Sequence, residues 1–232
     1  MNDLTVYIGW DSREVEAFEV CEHTLRKHWK GSPASLQVKA LKQHELRSDG
    51  HYYREVDKKA ATEFSLTRFL VPALNKFQGY AIFVDCDFLF LDDINSVFNE
   101  VDPKNAVSVV KHDYTPRDKT KMDGAIQHIY PRKNWSSFMV FNCAHPSNRE
   151  LNISTVNNET PAFLHRFHWL SDEEIGEIGR RWNYLEGCYP ADETDIKAIH
   201  FTRGGPWFKH MQEVDFADLW RNEYSEIKRK IA

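Results

Sequence analysis

The run Ala81-Ile82-Phe83-Val84-Asp85-Cys86-Asp87-Phe88-Leu89-Phe90-Leu91 is apolar except for two carboxylates set two positions apart. Its composition predicts a buried strand, and a carboxylate at the end of such a strand is costly unless a cation compensates it. Side chains alternate along a strand, so Asp85 and Asp87 fall to one side and Cys86 to the other. Two oxygen ligands suit a hard ion such as magnesium or manganese, which commonly carries phosphate oxygens as well. A strand end flanked by solvated acids is the plainer alternative.

The chain has 232 residues, enough for one α/β domain spanning 1–232 with a sizeable core. Thirty basic and thirty-five acidic residues leave a net charge of −5, with no basic footprint for nucleic acid. The start MNDLTVYIGW lacks the basic, then apolar, character of a leader peptide, and no run reaches the eighteen apolar residues of a membrane span. A soluble, cytoplasmic protein is expected. Cys21, Cys86, Cys143 and Cys188 have no metal-ligand spacing and read as reduced, structural thiols.

Alternation predicts strands at Leu4–Gly9, Leu36–Leu41, Ala106–Val110 and Phe138–Asn142, with a short piece at Ile199–Phe201. Helical spacing marks residues from Arg13 to Lys30, capped by Asp11 or Ser12, and from Thr62 to Val71, which Pro72 must end or kink. Arg149 to Trp169 reads as largely helical, and Ser171 to Glu174 as a helix start. The segment from Lys111 to Ser137 has no period. Its length and its Lys121, Asp123, Gln127, His128, Trp135 and Ser136 favour a binding loop. In the closing helix Phe216, Leu219, Trp220 and Ile227 form the expected core face. Lys228, Arg229 and Lys230 complement its dipole, and a weak peripheral association with the inner membrane face is the alternative use of that basic tip. Alternating strands and helices argue for an α/β layer fold with ligands beyond the strand ends.

Four patches together resemble the family 8 glycosyltransferases and their relatives. Val6-Tyr7-Ile8-Gly9-Trp10-Asp11 is similar to that family's first strand and base-binding loop. Thr62 to Pro72, with Arg68, looks like the helix preceding its metal motif, and Phe83-Val84-Asp85-Cys86-Asp87 resembles the Asp-X-Asp segment itself. The fourth patch, Ile199-His200-Phe201-Thr202-Arg203-Gly204-Gly205-Pro206-Trp207, resembles a late His-Phe-X-Gly-X-Lys-Pro-Trp signature whose histidine is the third metal ligand. The chain departs from the pattern at Gly205, where the family carries lysine, and Arg203 is the substitute cation. Neither the Phe-Asn-Ala-Gly stretch nor the Asp-Gln-Asp segment has a clean counterpart, at Phe141-Asn142-Cys143 and around His168 to Asp172 respectively.

The resemblance implies a single GT-A domain with a mixed, mostly parallel central sheet flanked by helices. It implies a transferase that moves a sugar, with retention, from a nucleotide-diphosphate donor such as a UDP-sugar to a glycan or lipid-linked glycan. Asp85, Asp87 and His200 would hold manganese, or magnesium. Tyr7, Gly9, Asp11, Arg68, Asp85, Cys86, Arg203, Gly204 and Gly205 would contact the donor. Lys121, Gln127 and Trp135 are candidates for the acceptor, and Asp123 or Asp172 for orienting its hydroxyl or stabilising charge at the sugar carbon. Two other classes compete. A haloacid dehalogenase-like phosphotransferase also carries an apolar-Asp-X-Asp motif, with its first Asp as nucleophile, but near the chain start. A noncatalytic nucleotide-sugar or glycan-binding module is compatible with the missing lysine.

Overall fold

The computed structural model describes residues 3–56, 60–113 and 132–231. Lys121, Asp123, Gln127 and His128 lie outside the described residues. The opening strand β1 (Leu4–Gly9) leads into α1 (Val15–His28), β2 (Leu36–Leu41) and α2 (Gln43–Ser48). After a short α3 (Val71–Leu74) come β3 (Tyr80–Val84), β4 (Phe88–Phe90), β5 (Val107–Val109) and β6 (Phe138–Asn142). Two short helices, α4 (Ile153–Asn158) and α5 (Pro161–His165), precede β7 (Ile175–Glu177), β8 (Tyr184–Leu185), β9 (Ala198–His200) and the closing α6 (Ala217–Ile231).

Six strands form one mixed sheet in the order β2-β1-β3-β6-β5-β7, in which β6 runs against both its neighbours and the remaining pairings are parallel. The α/β class with a mostly parallel central sheet is therefore the one expected. A second sheet, β4-β9-β8, stands apart from it. The apolar run at 81–91 is accordingly two strands in two sheets, with the acidic couplet in the link between them. Asp85 N–H donates to Ser137 O at 2.9 Å on the large-sheet side, and Phe201 N–H donates to Asp87 O at 3.0 Å on the small-sheet side.

Several local expectations are corrected. Asp11 does not cap α1, which begins at Val15 with no side-chain cap. Its fully buried carboxylate instead accepts from Arg13 N–H and Glu63 N–H, so it ties the β1–α1 loop to a distant one. Pro72 does not end a helix. It sits in the first turn of α3, where its missing N–H costs nothing. The stretch 149–169 breaks into pieces because Thr160 caps a new start at Pro161. Leu219 is 43% exposed, off the core face that Trp220 defines. The basic tip of α6 is used internally: Lys228 pairs with Glu19 of α1 at 3.0 Å and Lys230 with Glu226 at 2.9 Å. No helix among the described residues is long and apolar enough to cross a membrane.

Helix α1 is held on the small sheet by Thr24, whose Oγ1 accepts from Phe90 N–H at 3.1 Å. Gly9, the last residue of β1, lies against Phe64, and a Cβ at that position would come within 2.4 Å of a ring carbon. Crowding of this kind costs about 1–3 kcal/mol when a core cannot yield. Gly9→Ala should therefore lower the unfolding free energy by that amount, read as a lower denaturant midpoint at unchanged m-value, and a midpoint equal to that of the parent would refute the contact.

Candidate functional site

The acidic couplet meets His200 through strand register. In the antiparallel pair β4–β9, Phe88 lies opposite His200, and the two rings stack with centroids 4.4 Å apart and planes 14° from parallel. This sets the imidazole beside Asp87, with Nε2 3.2 Å from Oδ1. Asp85, Asp87 and His200 each offer one ligand atom, and these atoms lie within 4.8 Å of one another. Cys86, between the two acids, is buried and does not line the cavity that Asp85 and Asp87 line.

The ring's second nitrogen is fixed from behind. His200 Nδ1 lies 2.8 Å from Asn183 Oδ1. Asn183 Nδ2 in turn donates to Ser137 Oγ at 2.8 Å, which leaves the amide oxygen facing the imidazole. Nδ1 is therefore the protonated nitrogen, and in the neutral ring Nε2 presents a lone pair to a carboxylate oxygen. Two acceptors at that distance require a proton or a cation between them. Buried oxygens on two carboxylates and one imidazole nitrogen, oriented by a hydrogen-bonded partner, fit a divalent ion. Burial pushes the Asp87 carboxyl up, but the charge and hydrogen bond of His200, with Arg68 beyond, bring it below the usual carboxylate range.

Arg68 anchors the other acid. Its Nη1 lies 2.8 Å from Asp85 Oδ1 and donates to Ser136 O at 2.8 Å, while the guanidinium rests on the rings of Phe64 and Phe83. Removing one member of such a buried pair costs about 3–5 kcal/mol, because the other is left without compensation.

These groups line one cavity of about 320 Å³, shared with Arg13, Glu14, Ser65, Asn134, Ser136, His165, Thr202, Arg203, Gly204 and His210 among others. Glu14 is a residue that sequence reasoning missed. Burial, then the charges of Asp87 and Asp11, push its carboxyl up to about 8. Asn183 and His165 were missed as well, and only a lone Asn inside the aromatic Trp182-Asn183-Tyr184 hinted at the first, whereas Ser136, one of the residues expected in a binding loop, does line the cavity.

Other expected contacts fall elsewhere. Tyr7 is a core residue whose hydroxyl burial pushes up to about 12. Gly9, Asp11 and Cys86 are buried and do not line the cavity. Trp135 donates to His112 O at 3.4 Å, and its ring is covered by Lys111 and Arg132. Asp172 is 82% exposed, pairs with Arg132, and does not line the cavity.

The Gly204-Gly205 turn also differs from expectation. Gly204 lines the cavity, but its N–H donates to Phe201 O at 2.7 Å. Gly205 is buried, and a Cβ there would come within 2.2 Å of the Trp207 ring, so this backbone has no room for a lysine. The cation on that wall is Arg203. Its Nη2 lies 3.3 and 3.4 Å from the oxygens of Glu186, which is 1% exposed. The guanidinium crosses directly over Gly187, at φ +65°, where a Cβ would be 1.6 Å from Nη2. Glu186 N–H donates to His200 O at 3.0 Å, which places this pair next to the Asp85, Asp87 and His200 cluster.

No family model matches the chain. Protein CDI of Arabidopsis thaliana is 48% identical over 229 residues, an alignment covering 97% of this chain and 87% of that protein. The chain belongs to the CDI family. Among solved structures, the bifunctional glycosyltransferase WbbM superposes on this CDI-family chain with TM-score 0.61 at 14% identity, over 96% of the chain and 50% of WbbM. The glycosyltransferase GlyE of Streptococcus pneumoniae gives 0.59 at 12% identity, over 97% and 60%. The galactosyltransferase LgtC, solved with donor and acceptor sugar analogues, gives 0.57 at 10% identity, over 96% and 95%. The chain thus spans half of WbbM and under two thirds of GlyE but nearly all of LgtC. The fold of this CDI-family chain is the GT-A fold of these glycosyltransferases.

Gly187→Ala should lower stability through two effects, the left-handed backbone and the collision with Arg203. Arg203→Ala removes the second, so Gly187→Ala should lower the melting temperature less in an Arg203→Ala background than in the parent. An equal drop in both backgrounds would show that the guanidinium does not occupy that space.

Proposed function

We propose that this chain is a divalent-metal-dependent glycosyltransferase that moves a sugar from a nucleoside-diphosphate donor, a UDP-sugar, to the hydroxyl of a glycan or lipid-linked glycan. The observation that carries this reading is the meeting of Asp85, Asp87 and His200 on one wall of the cavity, with Asp87 Oδ1 and His200 Nε2 3.2 Å apart. The GT-A fold adds support, since each of the three superposed proteins is a glycosyltransferase.

Bound at Asp85, Asp87 and His200, manganese or magnesium would act as a Lewis acid toward the donor diphosphate. The nitrogen ligand favours manganese. Arg203 lies on the same cavity wall, where its charge offsets that of the departing diphosphate in place of a lysine. Glu186 and Gly187 position it. Asn183 holds the His200 proton on Nδ1, and Arg68 holds Asp85, so neither ligand needs to reorganise when a donor arrives. Retention of anomeric configuration, the course of the family 8 enzymes it resembles, follows if the acceptor hydroxyl attacks on the face the diphosphate leaves and the diphosphate takes its proton. No protein base is then needed, in keeping with the exposed position of Asp172.

The test is release of nucleoside diphosphate from a panel of nucleotide sugars with manganese, with and without EDTA. Slow, chelator-sensitive release from one donor is expected. Asp87→Asn should abolish it, by a factor of about a hundred or more, while the metal-free melting temperature stays near that of the parent. Phosphate release from a monoester, or binding of a donor without turnover, would reject the transferase reading.

A further inference from the structure

Resting on the donor reading above, we infer that Ser65, Ser136 and His165 form the subsite for the transferred sugar, and that this subsite takes a neutral hexosyl group rather than a uronate. The three residues line the same cavity as the metal ligands. His165 ends α5, and its ring stands edge-on to Phe69 with centroids 5.2 Å apart. Its Nδ1 lies 3.0 Å from Ser136 Oγ and its Nε2 3.5 Å from Ser65 Oγ. One imidazole thus links hydroxyls contributed by two distant segments.

Arg68 fixes where this wall sits relative to the metal ligands. It contacts Asp85 Oδ1 and Ser136 O through the same nitrogen, each at 2.8 Å. A group attached to a diphosphate beside Asp85 therefore meets the Ser136–His165 wall next. Hydroxyl and imidazole groups both donate and accept, which matches sugar hydroxyls.

Charge argues for the neutral class. Among the described residues, each arginine that lines the cavity is engaged by a protein carboxylate: Arg13 by Asp11 at 2.8 Å, Arg68 by Asp85 at 2.8 Å and Arg203 by Glu186 at 3.3 Å. A uronate carboxylate would have to displace one of these acids and leave it without its partner. Sugar hydroxyls need no such exchange.

The test is calorimetric titration with manganese present, using UDP, GDP, UDP-glucose, UDP-galactose, UDP-glucuronate and GDP-mannose. A neutral hexosyl donor should bind about tenfold tighter than its parent nucleotide, whereas UDP-glucuronate should bind no tighter than UDP. His165→Ala should erase that tenfold increment and leave the parent nucleotide within about twofold, while His165→Gln, which can still donate and accept, should keep part of it. Equal weakening of nucleotide and nucleotide sugar would assign His165 a structural role and overturn the subsite, as would preference for the uronate. Absence of binding by both UDP and GDP would instead remove the donor reading, and the subsite with it.

Discussion

The candidate site depends on one backbone arrangement: the Asp85–Asp87 link is held between two sheets by Ser137 O on one side and Phe201 N–H on the other. A carboxylate pair at the end of a continuous strand would point into solvent or core according to the pleat alone. Here the chain leaves β3 and re-enters as β4, with the two acids and the buried Cys86 in the link between. The antiparallel β4–β9 register then places an imidazole against the couplet. Asn183, Ser137 and Arg68 restrain the ring and Asp85, so the cluster is held in place by the protein's own hydrogen bonds.

Around that centre the cavity has distinct walls. One carries Arg203, held by Glu186 across a glycine that cannot bear a side chain. Another carries hydroxyls joined through His165. The pattern explains why Gly205 is not simply a lost lysine. Trp207, packed against Phe201 and Trp220, occupies the space a side chain there would need, and the positive charge sits two residues earlier. Arg203 in turn lies across a second glycine, Gly187, on a different segment.

Much of the frame was legible because its signals are local. Leu4–Gly9, Leu36–Leu41 and Phe138–Asn142 alternate or run apolar and are strands with those bounds. The stretch from 149 to 169 was misread because helical spacing says nothing about Pro161 starting a new helix under the Thr160 cap. Strands β7 and β8, three and two residues long, are too short to show a period. Their existence depends on partners, β5 and β9, that are distant in sequence.

By itself the sequence singled out Asp85, Asp87 and His200: two acids in an apolar run and a histidine before a Gly-Gly-Pro-Trp turn are unusual enough to be read from residue type and spacing. It also determined the layer class, since period two and period 3.6 are properties of adjacent residues. Only the tertiary structure decided that Asp11 is a buried tether, that Trp207 excludes a side chain at 205, and that Ser65, Ser136 and His165 share a wall with Asp85. Those facts arise from packing between segments dozens of residues apart, where steric exclusion and hydrogen-bond geometry act in space and leave no periodic trace along the chain.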